Sequence, residues 1–179
     1  MIVLVGPSAS GKTEAAKLLY SIYGIKKVIT HTTRPMRIGE KDDVDYHFVS
    51  KEEFLKLKEK NYFIETTLYN GNYYGTSKSE VSDNKVLIVD PNGVKSILSL
   101  NDPRIIIFRL NADSKTRFNR MIIRGDSIEN IEQRISKDKD VFSEDALSFK
   151  SINIDTEKMT LLEIAKFIYE TYQDELAKL

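Results

Sequence analysis

The residues near the start of the chain with the clearest chemical potential form the segment GPSASGKT, Gly6 to Thr13. This spacing is typical of a loop whose backbone N–H groups surround phosphate at a helix N-terminus, although a Gly/Ser turn without a ligand is the alternative. In such a loop Lys12 reaches the β- and γ-phosphates, and the Thr13 hydroxyl binds Mg²⁺. The apolar run MIVLV before it and the helical pattern TEAAKLLYSIY after it favour the phosphate loop. The predicted ATP phosphate-binding residues are Gly6, Ser8, Ala9, Ser10, Gly11, Lys12 and Thr13.

Two cationic side chains follow in the segment THTTRPMRIGE, where Arg34 and Arg37 stand on either side of a proline. The proline excludes a regular helix, so the two side chains are expected to project from an extended loop. Forked guanidinium groups suit a phosphate, which predicts a second phosphate site. Ion pairs at the surface are the alternative role for these arginines.

A third set of polar side chains lies in the segment FIETTLYNGNYYGTS, which contains Glu65, Tyr74 and Thr76. Asn70-Gly71 between two β-like runs indicates a hairpin turn. A carboxylate accepts two N–H bonds side by side, and guanine offers such a pair on its Watson–Crick edge. The hairpin therefore predicts a site for a guanine nucleotide, whereas simple packing of the tyrosines is the alternative.

Elements that could position these residues follow from the hydrophobic pattern. Five apolar runs predict buried parallel strands: MIVLV, KKVIT, KVLIVD, RIIIFRL and SINID. Helical patterns cover Lys12–Tyr23, Pro91–Leu100, Asp113–Ile123, Ser127–Leu147 and Thr160–Lys178. Strands alternating with helices predict a doubly wound α/β fold with a five-stranded parallel sheet.

The alternation stops between about residues 34 and 83, where YHFVS, YFIETTL and NYYGTS predict short strands around one helix. We expect a small, mostly antiparallel subdomain inserted between the second and third core strands. Two capping boxes are predicted, one from Ser50 to Glu53 and one from Thr160 to Glu163.

Composition narrows the class of protein. The 179 residues suit one domain, and the 27 basic and 27 acidic residues balance, so no overall field attracts nucleic acid or a membrane surface. The chain has no cysteine, which excludes disulfides and thiolate metal sites. The sequence therefore indicates a cytoplasmic enzyme with no nucleic-acid or membrane partner. The charge-dense segment SKDKDVFSED is expected to be a solvated helix face.

Taken together, the motifs resemble the guanylate kinase family. GPSASGKT, TTRPMRIGE, DYHFVSKEEF, FIE, GNYYGTS and IIRGDSIENIEQRI follow that family's order and cover most of the chain from Ile2 to Ile135. The resemblance implies a P-loop NTPase fold in one domain, with a core of about residues 1–33, 84–123 and 136–179. It also implies a nucleoside-monophosphate-binding (NMP-binding) insertion of about 34–83 and a lid of about 124–135. Candidate flexible points are Gly39, Gly75 and Gly125.

The same resemblance implies transfer of a phosphoryl group from ATP, with Mg²⁺, to GMP or dGMP. The acceptor's phosphate would be held by Arg34, Arg37, Tyr46 and Tyr74. Its base would be surrounded by Thr30, Glu65, Thr76 and Asp90. The catalytic cations would be Lys12, Arg34, Arg120, Arg124 and Arg134.

The chain departs from the family pattern at several positions. Ile88 replaces an acidic residue, Thr30 a serine, Asp43 a glycine, and Ile154 an asparagine expected near the donor adenine. The lid is also one residue shorter. These changes leave open a related kinase with another acceptor, such as a deoxynucleotide or ribose 1,5-bisphosphate. A non-catalytic guanylate-kinase-like binding module is a further alternative, although such modules typically lose the phosphate loop that is intact here.

Overall fold

A computed structural model describes residues 1–69 and 71–179, and these residues form nine strands and six α-helices. In chain order the elements are β1 (Ile2–Val5), α1 (Lys12–Tyr23), β2 (Lys26–Lys27), β3 (His31–Thr32), β4 (His47–Phe48), α2 (Lys51–Glu59), β5 (Phe63–Tyr69), β6 (Asn72–Ser77), β7 (Lys85–Ile88), α3 (Pro91–Leu98), β8 (Ile106–Asn111), α4 (Ser114–Arg124), α5 (Ile128–Val141), β9 (Ile152–Asp155) and α6 (Leu161–Leu176). Within that part of the chain, no helix is both long enough and apolar enough to cross a membrane.

The core is a five-stranded sheet in the order β2-β7-β1-β8-β9, and every neighbouring pair is parallel. The five apolar runs of the sequence supply these five strands, so the doubly wound α/β prediction is confirmed. Side chains of β1 alternate between two hydrophobic clusters, as the period of a strand requires. Leu4 packs with α1 and α6 on one face, and Val3 packs with α3 on the other.

Local signals set most helix ends. The N-terminus of α6 has the full capping box, because the Thr160 hydroxyl accepts the Glu163 N–H and the Glu163 carboxylate accepts the Thr160 N–H. Ser50 caps α2 by accepting the Glu53 N–H at 3.1 Å.

The prediction for α5 is too long, because the helix ends at Val141 rather than at Leu147. Beyond the helix, Phe142 and Phe149 pack against the cluster beneath α3. Burial of these two rings requires the chain to leave the helical path.

The segment between β2 and β7 forms a second sheet in the order β4-β3-β6-β5. Two of its strand pairs are antiparallel and the β3–β4 pair is parallel, which confirms a mostly antiparallel insertion. The sheet begins at His31, three residues before the expected start at Arg34. Asn70 of the predicted hairpin turn lies outside the described residues, although β5 and β6 on either side are paired.

Gly75 packs inside this second sheet and is buried. A Cβ there would lie 2.9 Å from the Phe63 ring and 3.0 Å from the Phe54 ring, which themselves stack at 4.6 Å. Because glycine has no side chain, the Phe54 and Phe63 rings can pack against its backbone. The expectation that Gly75 is a flexible point is therefore wrong.

Candidate active site

The glycine-rich loop joins the carboxyl end of β1 to the N-terminus of α1, as the sequence predicts. A Cβ at Gly6 would lie 2.1 Å from the Leu110 carbonyl oxygen of the neighbouring strand, so no larger residue fits. Gly11, which precedes α1, has φ of 100°, and Ala9 has the unusual φ of 59°. A backbone held in this conformation is typical of a ligand site. The loop therefore presents its N–H groups where an anion binds most readily.

Lys12 lies across its own loop. Its ammonium donates to the carbonyl oxygens of Gly6 at 2.6 Å and Pro7 at 2.8 Å. Burial lowers the pKa of Lys12 from its ordinary value to about 8, because the charged form loses water, and the nearby carboxylate of Asp138 opposes that shift. The ammonium is thus held inside the loop by neutral acceptors.

A cavity of about 330 Å³, called here the loop cavity, opens beside the N-terminus of α1. Arg120 crosses its wall and donates to the carbonyl oxygens of Ala9 at 3.1 Å and Thr156 at 3.0 Å. Arg124 also lines the cavity, but its guanidinium pairs with Asp126. The lining residues are Ala9, Gly11, Lys12, Thr13, Glu14, Arg120, Arg124, Thr156, Met159 and Leu161.

Thr156 was missed by the sequence analysis, which had assigned importance to Ile154. Ile154 points into the core and is 3% exposed, whereas Thr156 lines the loop cavity just beyond the end of β9. Ligand sites of parallel sheets lie beyond the carboxyl ends of the strands, and that rule could have identified Thr156.

Arg134 lies apart from Arg120 and Arg124. It lines a second cavity of about 630 Å³, called here the Arg134 cavity, together with Ser8, Asp90 and Asp138. Four of the five predicted catalytic cations therefore surround the glycine-rich loop in two groups, Lys12 with Arg120 and Arg124, and Arg134 on α5.

A buried ion pair beneath the loop was also missed. Asp138 of α5 accepts the Ser8 N–H at 2.9 Å and a guanidinium N–H of Arg117 at 2.7 Å. The expectation that SKDKDVFSED is solvated throughout is wrong for Asp138, which is 9% exposed. Helical periodicity alone does not reveal a charge that finds its partner on another helix.

The Glu65 pocket, a cavity of about 230 Å³, lies between the two sheets. Its lining residues are Thr30, Glu65, Thr67, Tyr74, Thr76, Leu87, Ile88, Val89 and Asp90. All four residues predicted to surround the base belong to this set. Ile88, where the family has an acidic residue, contributes an apolar wall.

Glu65 accepts a hydrogen bond of 2.7 Å from the Thr76 hydroxyl. Burial raises the pKa of Glu65, the Thr76 hydrogen bond opposes that shift, and nearby Asp90 adds to it. One Asp90 oxygen caps α3 by accepting the Gly93 N–H at 2.8 Å. The pocket thus presents a carboxylate at its wall, which suits a ligand that offers N–H groups.

The residues predicted to hold the acceptor's phosphate form two groups. Arg34 lies 5.3 Å from the centre of the Tyr46 ring, and the Tyr46 and Tyr74 rings are 6.2 Å apart. The Arg34 guanidinium pairs with Glu40 at 2.7 Å. Arg37 is exposed, and Glu40 fixes its backbone: the Glu40 carboxylate accepts the Arg37 N–H at 2.8 Å, and the Glu40 N–H donates to the Arg37 carbonyl at 3.1 Å. Glu40, which the sequence analysis did not single out, therefore forms an ion pair with Arg34, an arginine predicted to bind phosphate.

Comparison with known proteins agrees with this geometry. The family model described as guanylate kinase matches residues 1–173. A guanylate kinase of Clostridioides difficile is 33% identical over 98% of this chain and 97% of its own length. A guanylate kinase of Neisseria gonorrhoeae is 35% identical over 88% of this chain and 82% of its own. The guanylate kinase of Schizosaccharomyces pombe is 44% identical over a shorter stretch, 50% of this chain and 47% of that protein.

Solved structures give the same picture. Guanylate kinase from Anaplasma phagocytophilum superposes with a TM-score of 0.64 at 25% identity, covering 98% of this chain and 85% of that one. The YorR protein of Bacillus subtilis, solved with phosphorylated GDP, shares the fold with a TM-score of 0.54 at 16% identity, over 99% and 98% of the two chains. The glycine-rich loop, the family match across residues 1–173 and the full-length relatives all lead to one assignment: this chain belongs to the guanylate kinase family.

Proposed function

We propose that the chain transfers the γ-phosphoryl group of ATP to GMP or dGMP, giving ADP and GDP or dGDP. The observation that carries this proposal is the Glu65 pocket, where a half-buried carboxylate lines a cavity of about 230 Å³. Guanine presents a ring N–H and an amine side by side, and such a carboxylate can accept both. Adenine lacks the ring N–H and would leave an acceptor unpaired, which a desolvated site penalises heavily.

The relative placement of the cavities supports direct transfer. Asp90 lines both the Glu65 pocket and the Arg134 cavity, and Ser8 of the glycine-rich loop lines the latter. A nucleoside monophosphate whose base lies in the Glu65 pocket would extend its phosphate towards this loop. Its phosphate oxygen would attack the γ-phosphorus as the bond to the bridging oxygen of ADP breaks.

The cations around the loop suit this reaction, because its transition state spreads negative charge over the peripheral oxygens. We assign Lys12, Arg120, Arg124 and Arg134 to the transferring group. The acceptor's phosphate is assigned to Arg34, Arg37, Tyr46 and Tyr74. Arg34 has five N–H donors and uses one of them on Glu40, so its other N–H groups can reach the acceptor's phosphate while Glu40 holds the side chain.

The proposed division of the chain follows from these roles. Residues of about 34–83 bind the monophosphate, with the second sheet extending back to His31. A lid of about 124–135 carries Arg124 and Arg134 at its ends. The remaining segments form the core that binds ATP.

Thr13 fits a magnesium ion that arrives with ATP. Its hydroxyl is a hard oxygen ligand, exposed at the start of α1 in the loop cavity. The described residues contain no cluster of three or more acidic or histidine side chains able to hold a metal. This chain would therefore contribute Thr13, while phosphates and water complete the shell, as Mg²⁺ prefers. When bound, the ion neutralises phosphate charge and fixes the phosphate geometry.

An acceptor panel tests the proposal. ADP release is measured with ATP, Mg²⁺ and each of GMP, dGMP, AMP, UMP and ribose 1,5-bisphosphate. We expect turnover with GMP or dGMP and at least about 10³-fold lower kcat/KM with AMP. Turnover chiefly with ribose 1,5-bisphosphate would identify the related kinase. Absence of ADP release with every acceptor would identify a binding module.

Arg37→Ala separates the phosphate contacts from the base contacts. We expect KM to rise by a similar factor for GMP, dGMP and AMP, because the lost contact is to the phosphate they share. A loss confined to one base or sugar would contradict the phosphate role of Arg37.

A further inference from the structure

Three parts of the chain meet at the carboxylate of Asp138. Its Oδ2 atom accepts the Ser8 N–H at 2.9 Å and an Arg117 N–H at 2.7 Å. Its Oδ1 atom accepts the Ser8 hydroxyl at 3.3 Å, and Arg117 donates to the Ser8 carbonyl at 3.3 Å. The glycine-rich loop, α4 and α5 are therefore joined through one side chain.

The same three elements carry the cations assigned to the transferring phosphoryl group. On α4, Arg120 and Arg124 follow Arg117 by three and seven residues, which places all three on one helix face. On α5, Arg134 precedes Asp138 by four residues and shares its face. Lys12 follows directly from the loop. A change at Asp138 would thus alter the spacing of the cations without touching any of them.

The contribution of the Arg117–Asp138 ion pair to the stability of the fold does not account for this joint, the set of hydrogen bonds among Asp138, Ser8 and Arg117. The side chains of Arg117 and Asp138 are 8% and 11% exposed, and burial of an ion pair often costs as much as its attraction returns. Within the described residues, the buried Arg117 Nε has no hydrogen-bond partner. A buried donor without a partner is destabilising, so the arrangement fixes geometry better than it lowers the free energy of folding.

We propose that Asp138 is a positioning residue for phosphoryl transfer, which holds the glycine-rich loop, α4 and α5 in the register that brings Lys12, Arg120, Arg124 and Arg134 to one phosphoryl group. It acts through Ser8 and Arg117, to which it is hydrogen-bonded. The inference rests on the proposed function, since that function defines the group on which the cations converge.

Asp138→Ala removes the three hydrogen bonds that Asp138 accepts from Ser8 and Arg117, and leaves the bond from Arg117 to the Ser8 carbonyl. Asp140→Ala is the matched control, because Asp140 is exposed on the same helix and its removal changes the charge equally. We expect kcat to fall at least about tenfold in Asp138→Ala with KM for GMP nearly unchanged, since displacement by about 1 Å can slow a reaction about 10²-fold. Asp138→Asn keeps an oxygen for both Ser8 and Arg117 and should recover most of the lost kcat. A smaller fall, or no recovery by asparagine, overturns the proposal.

Because Asp138→Ala leaves Arg117 buried without its partner, the double variant Arg117→Met, Asp138→Leu provides a second route. Apolar replacement of a buried pair is often neutral or stabilising, so we expect Tm to be unchanged or higher while kcat still falls at least about tenfold. Wild-type kcat in this double variant overturns the proposal, as does a kcat loss explained by a lower Tm.

Coupling to Arg134 identifies how Asp138 acts. If Asp138 positions Arg134, removing Arg134 should cost at least about threefold less in kcat in an Asp138→Ala background than in the wild type. Equal costs in both backgrounds overturn the positioning role.

Should the wild type release no ADP with any acceptor, the proposed function fails by itself. In that case the affinity for MgADP tests whether Asp138 positions the glycine-rich loop. We expect MgADP to bind at least about threefold more weakly to Asp138→Ala than to Asp140→Ala. Equal affinities would overturn the positioning role.

Discussion

Replacing Glu65 with glutamine should abolish the preference for guanine. The Thr76 hydroxyl donates to Glu65 at 2.7 Å, so the glutamine carbonyl is drawn to that hydroxyl and its NH₂ group turns towards the ligand. That NH₂ group then faces the donors of guanine, where the carboxylate accepted them.

The size of the effect follows from the bonds lost. Hydrogen bonds to a charged group contribute about 1.5–3 kcal/mol each. Losing two of them, with the amide left facing donors, should raise the barrier by about 3–4 kcal/mol. That corresponds to a fall of about 10²–10³ in kcat/KM for GMP. The value for AMP should stay level or rise, because the amide can donate to the adenine ring nitrogen.

The assay is ADP release with GMP and AMP over a range of pH. Burial raises the pKa of Glu65, so KM for GMP should increase as the pH falls through that raised value and the carboxyl takes up a proton. Glu65→Gln should remove this pH dependence. Glu59→Gln serves as control, since Glu59 is exposed on α2 in the same insertion. A GMP-to-AMP ratio in Glu65→Gln within about threefold of wild type would refute the reasoning, because it lies far below the expected change.

Four further predictions concern Lys12, Gly75 and closure of the insertion and lid. Lys12→Ala should lower kcat about 10²–10³-fold with the fold retained, since one charge that stabilises the transition state is lost, and more than about a tenth of wild-type kcat would contradict the phosphate-loop role. The pKa of Lys12 is about 8 in the free protein, and bound phosphates should raise it. Binding of MgADP at pH 8.5 should therefore be accompanied by uptake of a proton in the wild type and of none in Lys12→Ala, which calorimetry in two buffers can measure. Gly75→Ala should lower Tm by about 3–10 °C through contact with the Phe54 and Phe63 rings, at about 1–3 kcal/mol, and an unchanged Tm would show that the rings yield freely. Small-angle scattering should show compaction when GMP and a non-hydrolysable ATP analogue bind together, because the site must exclude water, and an unchanged radius of gyration would rule out closure of the insertion and lid.

Features governed by neighbouring residues could be predicted from the sequence. The boundaries of α1 match because the glycine-rich loop starts the helix at Lys12 and Gly24, with φ of 70°, ends it. Four of the five core strands were found because each is a short apolar run, and β2 (Lys26–Lys27) was found through the apolar residues Val28 and Ile29 that follow it. Part of the Glu65 pocket was anticipated because Glu65, Tyr74 and Thr76 lie on two paired strands.

Features that depend on distant partners could not be predicted in this way. The end of α5 is set by burial of Phe142 and Phe149, which helical periodicity does not encode. The ion pair between Arg34 and Glu40 and the one between Arg117 and Asp138 require knowledge of which loops and helices meet. Charge density in SKDKDVFSED indicated solvent for the whole face, whereas one of its carboxylates lies in the interior.

The central place of β1 in the core sheet also affects how the protein is made. Ile2 pairs with Val86 on one side and with Ile106 on the other, so both partners of the strand leave the ribosome long after it does. At about 5–20 residues per second, the strand waits roughly 5–20 s before its second neighbour is even synthesised. During that time the apolar stretch IVLV and the glycine-rich loop behind it have no native sheet to join. The nucleotide site is thus encoded first and completed late, and the emerging chain must keep an aggregation-prone strand apart from its neighbours on the polysome until β8 appears.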